Sequence, residues 1–400
     1  MNNNIPSGYK SSPLGIIPED WNIKRLGEIC TFLDSQRIPI KDADRNKMQG
    51  LYPYYGASGI IDYVNDYIFD DDLILLGEDG ANIITRSTPL AFLVSGKVWI
   101  NNHAHVLKTN KGYNRYYICN YLESLSYDKY NTGTAQPKLN QEVCEHIPVL
   151  IPSEDEQNKI SDLLTLWDTA IAKQTALIEK LTLRKKGLMQ QLLTGKKRLK
   201  GFEGEWKRIK LGDIAERITR KNEEDNKNVV TISAQRGFVV QTDFFNKSVA
   251  SETLDNYFLV HKDEFCYNKS YSNGYPMGAI KRLKTFDKAV VTTLYICFAL
   301  KGETTNIDFF EQYCESGILN KELVKVANEG GRAHGLLNVT PADFFNMHMF
   351  IPNINEQNAI ASVLVNADKE IENAKGKLLH LQEEKRGLMQ VLLTGKRRMK

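Results

Sequence analysis

An internal repeat constrains this chain more than any other feature of its sequence. Several short patterns occur twice at an offset of 200 residues, with no gap between them. These patterns are Ile151-Pro152 with Glu156-Gln157-Asn158, Gly187-Leu188-Met189-Gln190 and Leu192-Leu193-Thr194-Gly195-Lys196, which return as Ile351-Pro352 with Glu356-Gln357-Asn358, Gly387-Leu388-Met389-Gln390 and Leu392-Leu393-Thr394-Gly395-Lys396. Such a repeat indicates one rigid structural element that is used twice.

A second pair of matching segments lies upstream, at a smaller offset. Trp21 followed by Leu26-Gly27-Glu28-Ile29 resembles Trp206 followed by Leu211-Gly212-Asp213-Ile214, 185 residues later. The stretch from this marker to the next Ile-Pro therefore differs by 15 residues between the halves, and its sequence differs far more than its flanks. These observations predict a variable domain at 1–152, a helical spacer at 153–200, a second variable domain at 201–352 and a C-terminal helical spacer at 353–400.

The constant element has the pattern of a long amphipathic helix. Ser153 with Glu156 predicts a capping box at its start, and Asn353 with Glu356 repeats it. The Leu-Leu-Thr-Gly segment at the far end places a glycine where a C-terminal cap is expected. Each helix would cover about forty residues, roughly 60 Å at 1.5 Å per residue. Heptad spacing links Ile160, Leu164, Trp167, Ile171, Ile178, Leu181 and Leu188, with Gln174 as an exception, and Ile360, Leu364, Ala367, Ile371, Ala374, Leu378, Leu381 and Leu388.

Each apolar seam runs along one face of its helix, so each helix needs a partner. Because a whole domain separates the two copies, they can pair antiparallel within one chain, which would relate the halves by an approximate two-fold axis. Pairing between two chains is the alternative, but the matched length and register favour the intramolecular pair. The predicted fold class is α+β: two mixed α/β domains joined by two long helices that pair as an antiparallel coiled coil, with an internal pseudo-two-fold repeat.

The first variable domain has apolar runs at 73–76, 91–94 and 98–100, which predict strands separated by polar loops. Aromatic and glycine residues at 52–59 suit close approach to a ligand, although alone this segment favours a tight turn over packed tyrosines. Amide, imidazole and basic side chains in the other loops suit contacts to base edges and phosphates. The candidate DNA-binding residues are Tyr54, Tyr55, Ser58, Asn82, Arg86, Asn102, His103, His105, Thr134, Gln136 and Lys138.

The second variable domain has strand-like runs at 229–232, 237–240 and 290–298. Its segment 267–275 interleaves aromatic, amide and basic side chains, a mixture that suits a nucleic-acid contact surface and suits a solvated loop almost as well. The polar members of 330–338 differ from those of the related segment 132–140, as expected for domains that read different sequences. The candidates here are Arg236, Asn268, Lys269, Tyr271, Asn273, Arg332 and His334.

Other features narrow the class of protein. His103 and His105 would share one face of a strand and permit a metal site, but no third ligand is evident, so no metal is predicted. The six cysteines show no Cys-x-x-Cys spacing and are expected to be reduced core residues. The sequence contains no Walker, dinucleotide-binding or adenine methyltransferase motif, and its first residues and its short apolar runs predict neither a signal peptide nor a membrane span. A cytoplasmic binding protein without catalytic residues or a cofactor of its own is expected, and the net charge of +3 supports a polyanionic partner only weakly.

Over essentially its whole length, the chain resembles the specificity subunits of type I restriction-modification systems. The resemblance depends on the ordered recurrence of many segments rather than on any one of them. These segments are Ile17-Pro18-Glu19-Asp20-Trp21 with Leu26-Gly27-Glu28-Ile29, the paired helix starts and ends described above, Tyr54-Tyr55-Gly56-Ala57-Ser58-Gly59, Glu78-Asp79-Gly80-Ala81-Asn82 and Asn102-His103-Ala104-His105.

The resemblance implies two target recognition domains, each of which binds one half of a bipartite site in double-stranded DNA, and helical spacers whose length fixes the distance between the half-sites. It also implies assembly with two modification (methyltransferase) subunits, which methylate adenine at N6 from S-adenosylmethionine, and with restriction subunits that use ATP and Mg²⁺ to translocate and cleave DNA. The cofactors would then belong to the partners. Two alternatives remain from the residues alone: a coiled-coil adaptor that binds proteins without DNA readout, and an enzyme with an unrecognised site.

Overall fold

The computed structural model describes residues 5–241, 254–327 and 337–399. The chain forms two compact units, unit 1 (residues 1–175 and 376–400) and unit 2 (residues 176–375). Each unit contains one variable domain and a segment of each long helix. The sequence-based boundaries lie at the helix ends and stay a prediction, since the contacts that define the units divide each helix near its middle.

The variable domain of unit 1 is built on a six-stranded sheet with the order β4-β9-β7-β8-β5-β6, in which only the β5–β8 pair is parallel. Strands β1 and β2 form one antiparallel pair, and β3 and β10 form another. The strands are β1 (Tyr9–Ser12), β2 (Gly15–Pro18), β3 (Asn22–Arg25), β4 (Cys30–Phe32), β5 (Gln49–Gly56), β6 (Gly59–Val64), β7 (Phe69–Gly77), β8 (Ala91–Ile100), β9 (Ala104–Thr109) and β10 (Pro148–Ile151).

The central strand β7 explains how this sheet is stabilised. Its apolar run 73–76 is fully buried, and alternate residues enter two different cores on the two faces of the sheet. A continuous apolar run is the pattern expected of a strand that is covered on both sides. The two runs predicted next to it, 91–94 and 98–100, belong to one strand, β8, whose backbone passes through Gly96 at a φ of 74°.

Short helices cover the sheet of unit 1. They are α1 (Leu26–Ile29), α2 (Asp42–Arg45), α3 (Asn82–Thr85), α4 (Arg115–Ser124) and α5 (Gln141–Glu145), with 3₁₀ turns at Asp34–Gln36 and Asp128–Tyr130. Helix α4 is capped by Asn114, whose side chain accepts a hydrogen bond from the Tyr117 amide at 2.9 Å. Buried residues of α4 and of both long helices join one core in this unit.

In the part of unit 2 that the structure describes, the variable domain has a four-stranded sheet with the order β12-β19-β16-β17 and three antiparallel pairs, β11 with β20, β13 with β14 and β15 with β18. The strands are β11 (Lys207–Lys210), β12 (Ala215–Ile218), β13 (Val230–Ser233), β14 (Gly237–Val240), β15 (Phe258–His261), β16 (Phe265–Asn268), β17 (Ala279–Arg282), β18 (Lys288–Val291), β19 (Ile296–Leu300) and β20 (His348–Ile351). The predicted run 290–298 is wrong as a single strand, because a turn at 292–295 divides it between β18 and β19.

The described helices complete the two units. They are α6 (Glu154–Leu192), α7 (Leu211–Ile214), α8 (Ile307–Glu315), α9 (Asn320–Val326), α10 (Pro341–Asn346) and α11 (Ile354–Leu392). No helix within residues 5–241, 254–327 and 337–399 is long and apolar enough to cross a membrane.

The long helices α6 and α11 each have 39 residues, which confirms the predicted length of about forty. They run antiparallel inside each unit. In unit 1, Asp168 Oδ1 pairs with Lys385 Nζ at 2.7 Å, and Glu156, nearer the start of α6, pairs with Arg398, nearer the chain end. In unit 2, Asp368 and Glu356 form the corresponding pairs with Lys185 and Arg198. The predicted antiparallel pairing is therefore confirmed.

The predicted capping boxes are only half right. The Glu156 amide donates to Ser153 Oγ at 3.3 Å, and the Glu356 amide donates to Asn353 Oδ1 at 3.1 Å, as a cap requires. The glutamate carboxylates, however, form buried ion pairs with Arg398 and Arg198. A charged partner far along the chain binds a carboxylate more strongly than the backbone amide of the cap residue does.

Candidate nucleic-acid interface

Four polar segments of unit 1 meet at one end of the six-stranded sheet. Their exposed residues form what we call the first loop surface, made of 56–58, 78–82, 101–103 and 132–138. Backbone hydrogen bonds join the segments: the Glu78 amide donates to His103 O at 2.9 Å, and the Leu139 amide donates to Glu78 O at 2.8 Å. The Asn101 amide donates to Tyr55 O at 3.1 Å. A Cβ on Gly77 would lie 2.9 Å from Ala57 O, so a glycine there permits the close approach of the 56–58 turn.

A buried imidazolium supports this surface. His105 is 1% exposed, its Nδ1 lies 2.5 Å from Asp34 Oδ2, and its Nε2 lies 2.9 Å from Leu139 O. Both partners accept hydrogen bonds, so both ring nitrogens carry protons. Burial lowers the pKa of His105, but the hydrogen bond to Asp34 and the neighbouring Cys144 outweigh it and raise the pKa to about 10. The imidazolium ties β9 to the loop that ends at residue 139.

Arg37 extends this charge network. Its Nη1 donates to Glu78 Oε2 and to Ala104 O, both at 2.7 Å, and its Nη2 lies 3.4 Å from Asp34 Oδ2. Lys138 Nζ lies 3.3 Å from Glu78 Oε1. The ligand atoms of Asp34, Glu78 and His105 lie within 4.8 Å of one another, the spacing of a metal site. Because protonated His105, Arg37 and Lys138 already bind these carboxylates, we assign the cluster to an ion-pair network.

Six of the sequence-predicted candidates in unit 1 have exposed positions on or beside this surface. They are Ser58, Asn102, His103, Thr134, Gln136 and Lys138. His103 Nδ1 lies 2.8 Å from Asp79 Oδ2, which orients the ring. The expectation that His103 and His105 share one face of a strand is wrong, since β9 begins at Ala104 and His103 lies in the preceding turn.

The tyrosine candidates lie below the surface. Tyr54 is 1% exposed, its hydroxyl accepts a hydrogen bond from the Ile40 amide at 3.0 Å, and the Arg45 guanidinium lies over its ring. Tyr54 therefore fits the alternative of a turn over packed tyrosines. Neither Tyr54 nor His105 can reach a ligand in this conformation, because both side chains are buried. Tyr55 is half-buried, and burial raises the pKa of its hydroxyl.

Asn82 and Arg86 hold a loop in place. Asn82 Oδ1 accepts from the Thr88 amide at 2.9 Å, and Asn82 Nδ2 donates to Thr88 O at 3.0 Å. Arg86, at a φ of 50°, donates to Glu123 O at 2.7 Å and lies over the Tyr127 ring. These side chains are engaged within the protein, and any contact with DNA would add to these roles.

In unit 2, the candidates group around the end of β16. Asn268 Nδ2 donates to Ile232 O at 3.1 Å, and the Leu337 amide donates to Lys269 O at 3.0 Å. Gln235 Nε2 donates to Asn273 O at 3.0 Å, which brings the exposed Arg236 beside the same turn. We call the exposed residues of 235–236 and 268–275 the second loop surface.

Individual candidates of this surface differ in exposure. Tyr271 is 64% exposed and Asn273 is also exposed, whereas burial lowers the pKa of the half-buried Lys269. Arg332 and His334 lie outside the described residues. As contacts to DNA, all eighteen candidates stay predictions.

Sequence reasoning missed the groups that hold the surfaces. In unit 1 these are Asp34 and Arg37, whose partners are 41 to 72 residues away. In unit 2, Lys281 is 8% exposed, and its Nζ donates to Glu315 Oε1 at 2.5 Å and to the Tyr275 hydroxyl at 3.2 Å. Ala279, Ile280 and Lys281 of β17 are all buried, so a period-two pattern does not mark Lys281 as a buried charge.

Comparison with known proteins agrees with this architecture. The family model described as "Type I restriction modification DNA specificity domain" matches residues 18–183. A putative type I restriction enzyme specificity subunit of Haemophilus influenzae is 32% identical over 146 residues, which cover 36% of each chain. The MjaVIII specificity subunit of Methanocaldococcus jannaschii is 25% identical over 423 residues, covering 96% of this chain and 94% of the relative.

Solved structures share the fold. The crystal structure of a type I restriction-modification S subunit from M. genitalium superimposes with a TM-score of 0.57 at 14% identity, covering 98% of this chain and 97% of the other. A structure described as showing complex assembly and conformational transition of the type I system has a TM-score of 0.52 at 13% identity, with 95% and 99% coverage. Residues 18–183 thus match the type I restriction modification DNA specificity domain, and over nearly its whole length the chain is similar to type I restriction enzyme specificity subunits, whose solved relatives share its fold.

Proposed function

We propose that this chain is the DNA-reading subunit of a type I restriction-modification complex, in which each variable domain reads one half of an asymmetric bipartite site. The proposal depends on one observation: the two units share the same pairing of the long helices, but their loop surfaces differ. The ion pairs between α6 and α11 recur in both units, whereas the first loop surface has amide, imidazole and lysine groups and the second has tyrosine, asparagine and arginine groups. Unlike surfaces should read unlike half-sites.

The chemistry of the exposed groups suits direct readout. Amide side chains such as Asn102 and Gln136 can pair with adenine in the major groove, and Arg236 can pair with guanine. Lys138 is positioned to contact a DNA phosphate, and its ammonium group would then bind both the phosphate and Glu78. Buried hydrogen bonds fix the loops that carry these groups, and such rigidity is what base discrimination requires.

We further propose that the chain has no catalytic residues and no cofactor of its own. Two modification subunits would supply N6-adenine methylation from S-adenosylmethionine, and restriction subunits would supply ATP- and Mg²⁺-dependent translocation and cleavage, in the cytoplasm. Relatives named as specificity subunits support this division of labour.

The test is a base-resolution map of N6-methyladenine in a methylation-free host that expresses the chain with its neighbouring modification subunit. We expect one split motif with two unlike halves, absent when the chain is omitted. Exchange of the first variable domain for that of a relative should change one half only, and exchange of the second should change the other.

Two results would contradict the proposal. A motif with identical inverted halves would show that the two surfaces do not read separately. Formation of the complex without any new methylation would favour an adaptor that binds proteins through its helices.

A further inference from the structure

Strand β6, at the edge of the six-stranded sheet, shows the reverse of the usual exposure. Ile60, Ile61 and Tyr63 are 46%, 54% and 49% exposed. The Asp62 carboxylate is drawn inwards by Arg45, whose Nε lies 2.7 Å from Asp62 Oδ2. Large apolar side chains on an open strand edge invite aggregation unless a partner covers them. This strand therefore has the character of a contact surface.

A β-bulge directs one of these side chains. Tyr55 pairs with Ile60 and Tyr54 pairs with Asp62, so the register passes over Ile61 as an extra residue. Bulges redirect side chains and occur often beside functional sites. Here the bulge breaks the alternation that would turn either Ile60 or Ile61 into the core.

Ile61 lies next to the first loop surface. A Cβ on Gly56 would be 3.3 Å from Ile61 Cγ2 and 3.6 Å from Asn101 Nδ2, so the isoleucine and the amide flank the same point. The Asn101 side chain in turn accepts a hydrogen bond from the His103 amide at 2.8 Å. An exposed aliphatic group thus borders the polar groups at Asn102 and His103.

We propose that Ile61 is a specificity-determining residue that contacts the 5-methyl group of a thymine in the half-site read by the first variable domain. The inference rests on the proposed function. Thymine is the base that presents a methyl group in the major groove, beside the hydrogen-bonding groups that amides and imidazoles read. An aliphatic side chain beside such groups matches that mixed edge, whereas a purely polar surface would leave the methyl group unrecognised.

The experiment measures duplex binding by the full chain, co-purified with its modification subunit, after the motif has been mapped. Each thymine of the first half-site is replaced in turn by deoxyuridine, which removes only the methyl group. For the unaltered chain we expect one replacement to weaken binding about fourfold, the effect of one buried methyl group. For Ile61→Ala the same replacement should have no effect, because the contact is already lost.

Leu51→Ala is the matched control. Leu51 is 89% exposed at the other end of the same hairpin, so its loss should leave the preference for thymine over deoxyuridine intact. Thermal unfolding of both variants should match that of the unaltered chain, since both side chains are more than half exposed.

Several outcomes overturn the inference. They are a first half-site without thymine, no effect of any replacement on the unaltered chain, and a thymine preference that survives in Ile61→Ala. The proposed function fails separately, if the unaltered complex does not prefer unsubstituted motif DNA over a scrambled duplex.

Discussion

In unit 1, Asn114 caps α4 and binds the start of α6, and in unit 2, Asn306 caps α8 and binds the start of α11 in the same way. The Asn114 amide donates to Gln157 Oε1 and the Asn306 amide donates to Gln357 Oε1, both at 2.9 Å. The joint between each variable domain and its long helix is thus built from the same groups. A repeated joint allows the domain beyond it to change while the spacer stays in place.

The joints of the two variable domains are alike, but the interiors of the domains differ. Cys30, the first residue after helix α1, pairs with Thr109 of β9. Ala215, the first residue after helix α7, pairs in the same way with Leu300 of β19. Four residues earlier on each strand, unit 1 has the buried imidazolium of His105 and unit 2 has Ile296, which is 3% exposed. At this position unit 1 therefore has a buried imidazolium, whereas unit 2 has an apolar core that includes the stacked rings of Phe265 and Phe298.

The two units should differ most in the stability that each loses when the arginine partner of its buried glutamate is removed. Glu356 is fully buried and its carboxylate binds Arg198, while Glu156 also accepts hydrogen bonds from Trp21 Nε1 and the Met399 amide. Arg198→Ala leaves a buried charge uncompensated and should lower the free energy of unfolding of unit 2 by about 3–5 kcal/mol. Arg398→Ala should cost unit 1 less. Hydrogen exchange of peptides from each unit measures both effects.

Exposed neighbours provide the controls for that pair. Lys197→Ala and Arg397→Ala remove charges next to the two arginines without touching the glutamates, and neither should change exchange. An equal or larger loss for Arg398→Ala would show that the extra hydrogen bonds to Glu156 contribute nothing. In the folded state, burial raises the pKa of Glu156, but the hydrogen bonds from Arg398 and its neighbours outweigh it and keep the pKa below its ordinary value.

The second prediction concerns pH. The pKa of His105 is raised to about 10 in the folded state, above about 6.5 for an unperturbed histidine. The stability that the imidazolium contributes is therefore fully present below about pH 6.5 and is lost as the pH rises through about 10. Calorimetric unfolding should show that unit 1 loses on the order of 3 kcal/mol over this range.

His105→Gln identifies this contribution against the other groups that titrate at high pH. The variant should be less stable at pH 7 and should lose less stability than the unaltered chain on transfer to pH 10. The transition that the variant shifts belongs to unit 1, and the remaining transition of unit 2 serves as the internal reference. A parallel pH dependence in both proteins would mean that His105 is neutral when folded.

The sequence predicts those parts of the molecule that depend on local patterns. The long helices follow from heptads and a repeat, and their 39-residue lengths agree with the spacing of the repeated segments. The capping boxes were half wrong because Glu156 is bound by Arg398, 242 residues away, and no local pattern encodes such a contact. For the same reason, Asp34 and Arg37 could not be found by motif, although they hold the first loop surface.

Strand boundaries and side-chain placement show a second limit. A spacing of two predicts one face for His103 and His105 only if both lie in a strand, and β9 begins between them. Tyr54 and Ser58 lie in one motif, yet the pleat buries the first and the turn exposes the second. The sequence could locate the candidate loops, whereas which of their side chains face outwards depends on the register of neighbouring strands.

The smallest expected difference lies at the joint itself. Asn114→Ala and Asn306→Ala each remove a helix cap, and each should lower the free energy of unfolding of its own unit by about 1–2 kcal/mol.

The two losses should differ slightly. Ser161 Oγ donates to Asn114 Oδ1 at 2.8 Å, while Ala361 occupies the related position in unit 2. Asn114→Ala leaves the buried Ser161 hydroxyl without its acceptor, which should lower the free energy of unfolding of unit 1 by about 1 kcal/mol more.

A double variant isolates the added loss. Ser161→Ala makes the joint of unit 1 like that of unit 2, so Asn114→Ala in this background should cost the same as Asn306→Ala, by hydrogen exchange of the capped helices. Asn114→Asp keeps the cap oxygen and removes the Nδ2 that donates to Asn158 Oδ1 at 2.7 Å, so its smaller loss measures the bond to α6 separately. If the two cap substitutions still caused different losses of stability in the Ser161→Ala background, the two joints would share their geometry but not their energy. Each long helix would then stabilise its variable domain by a different amount.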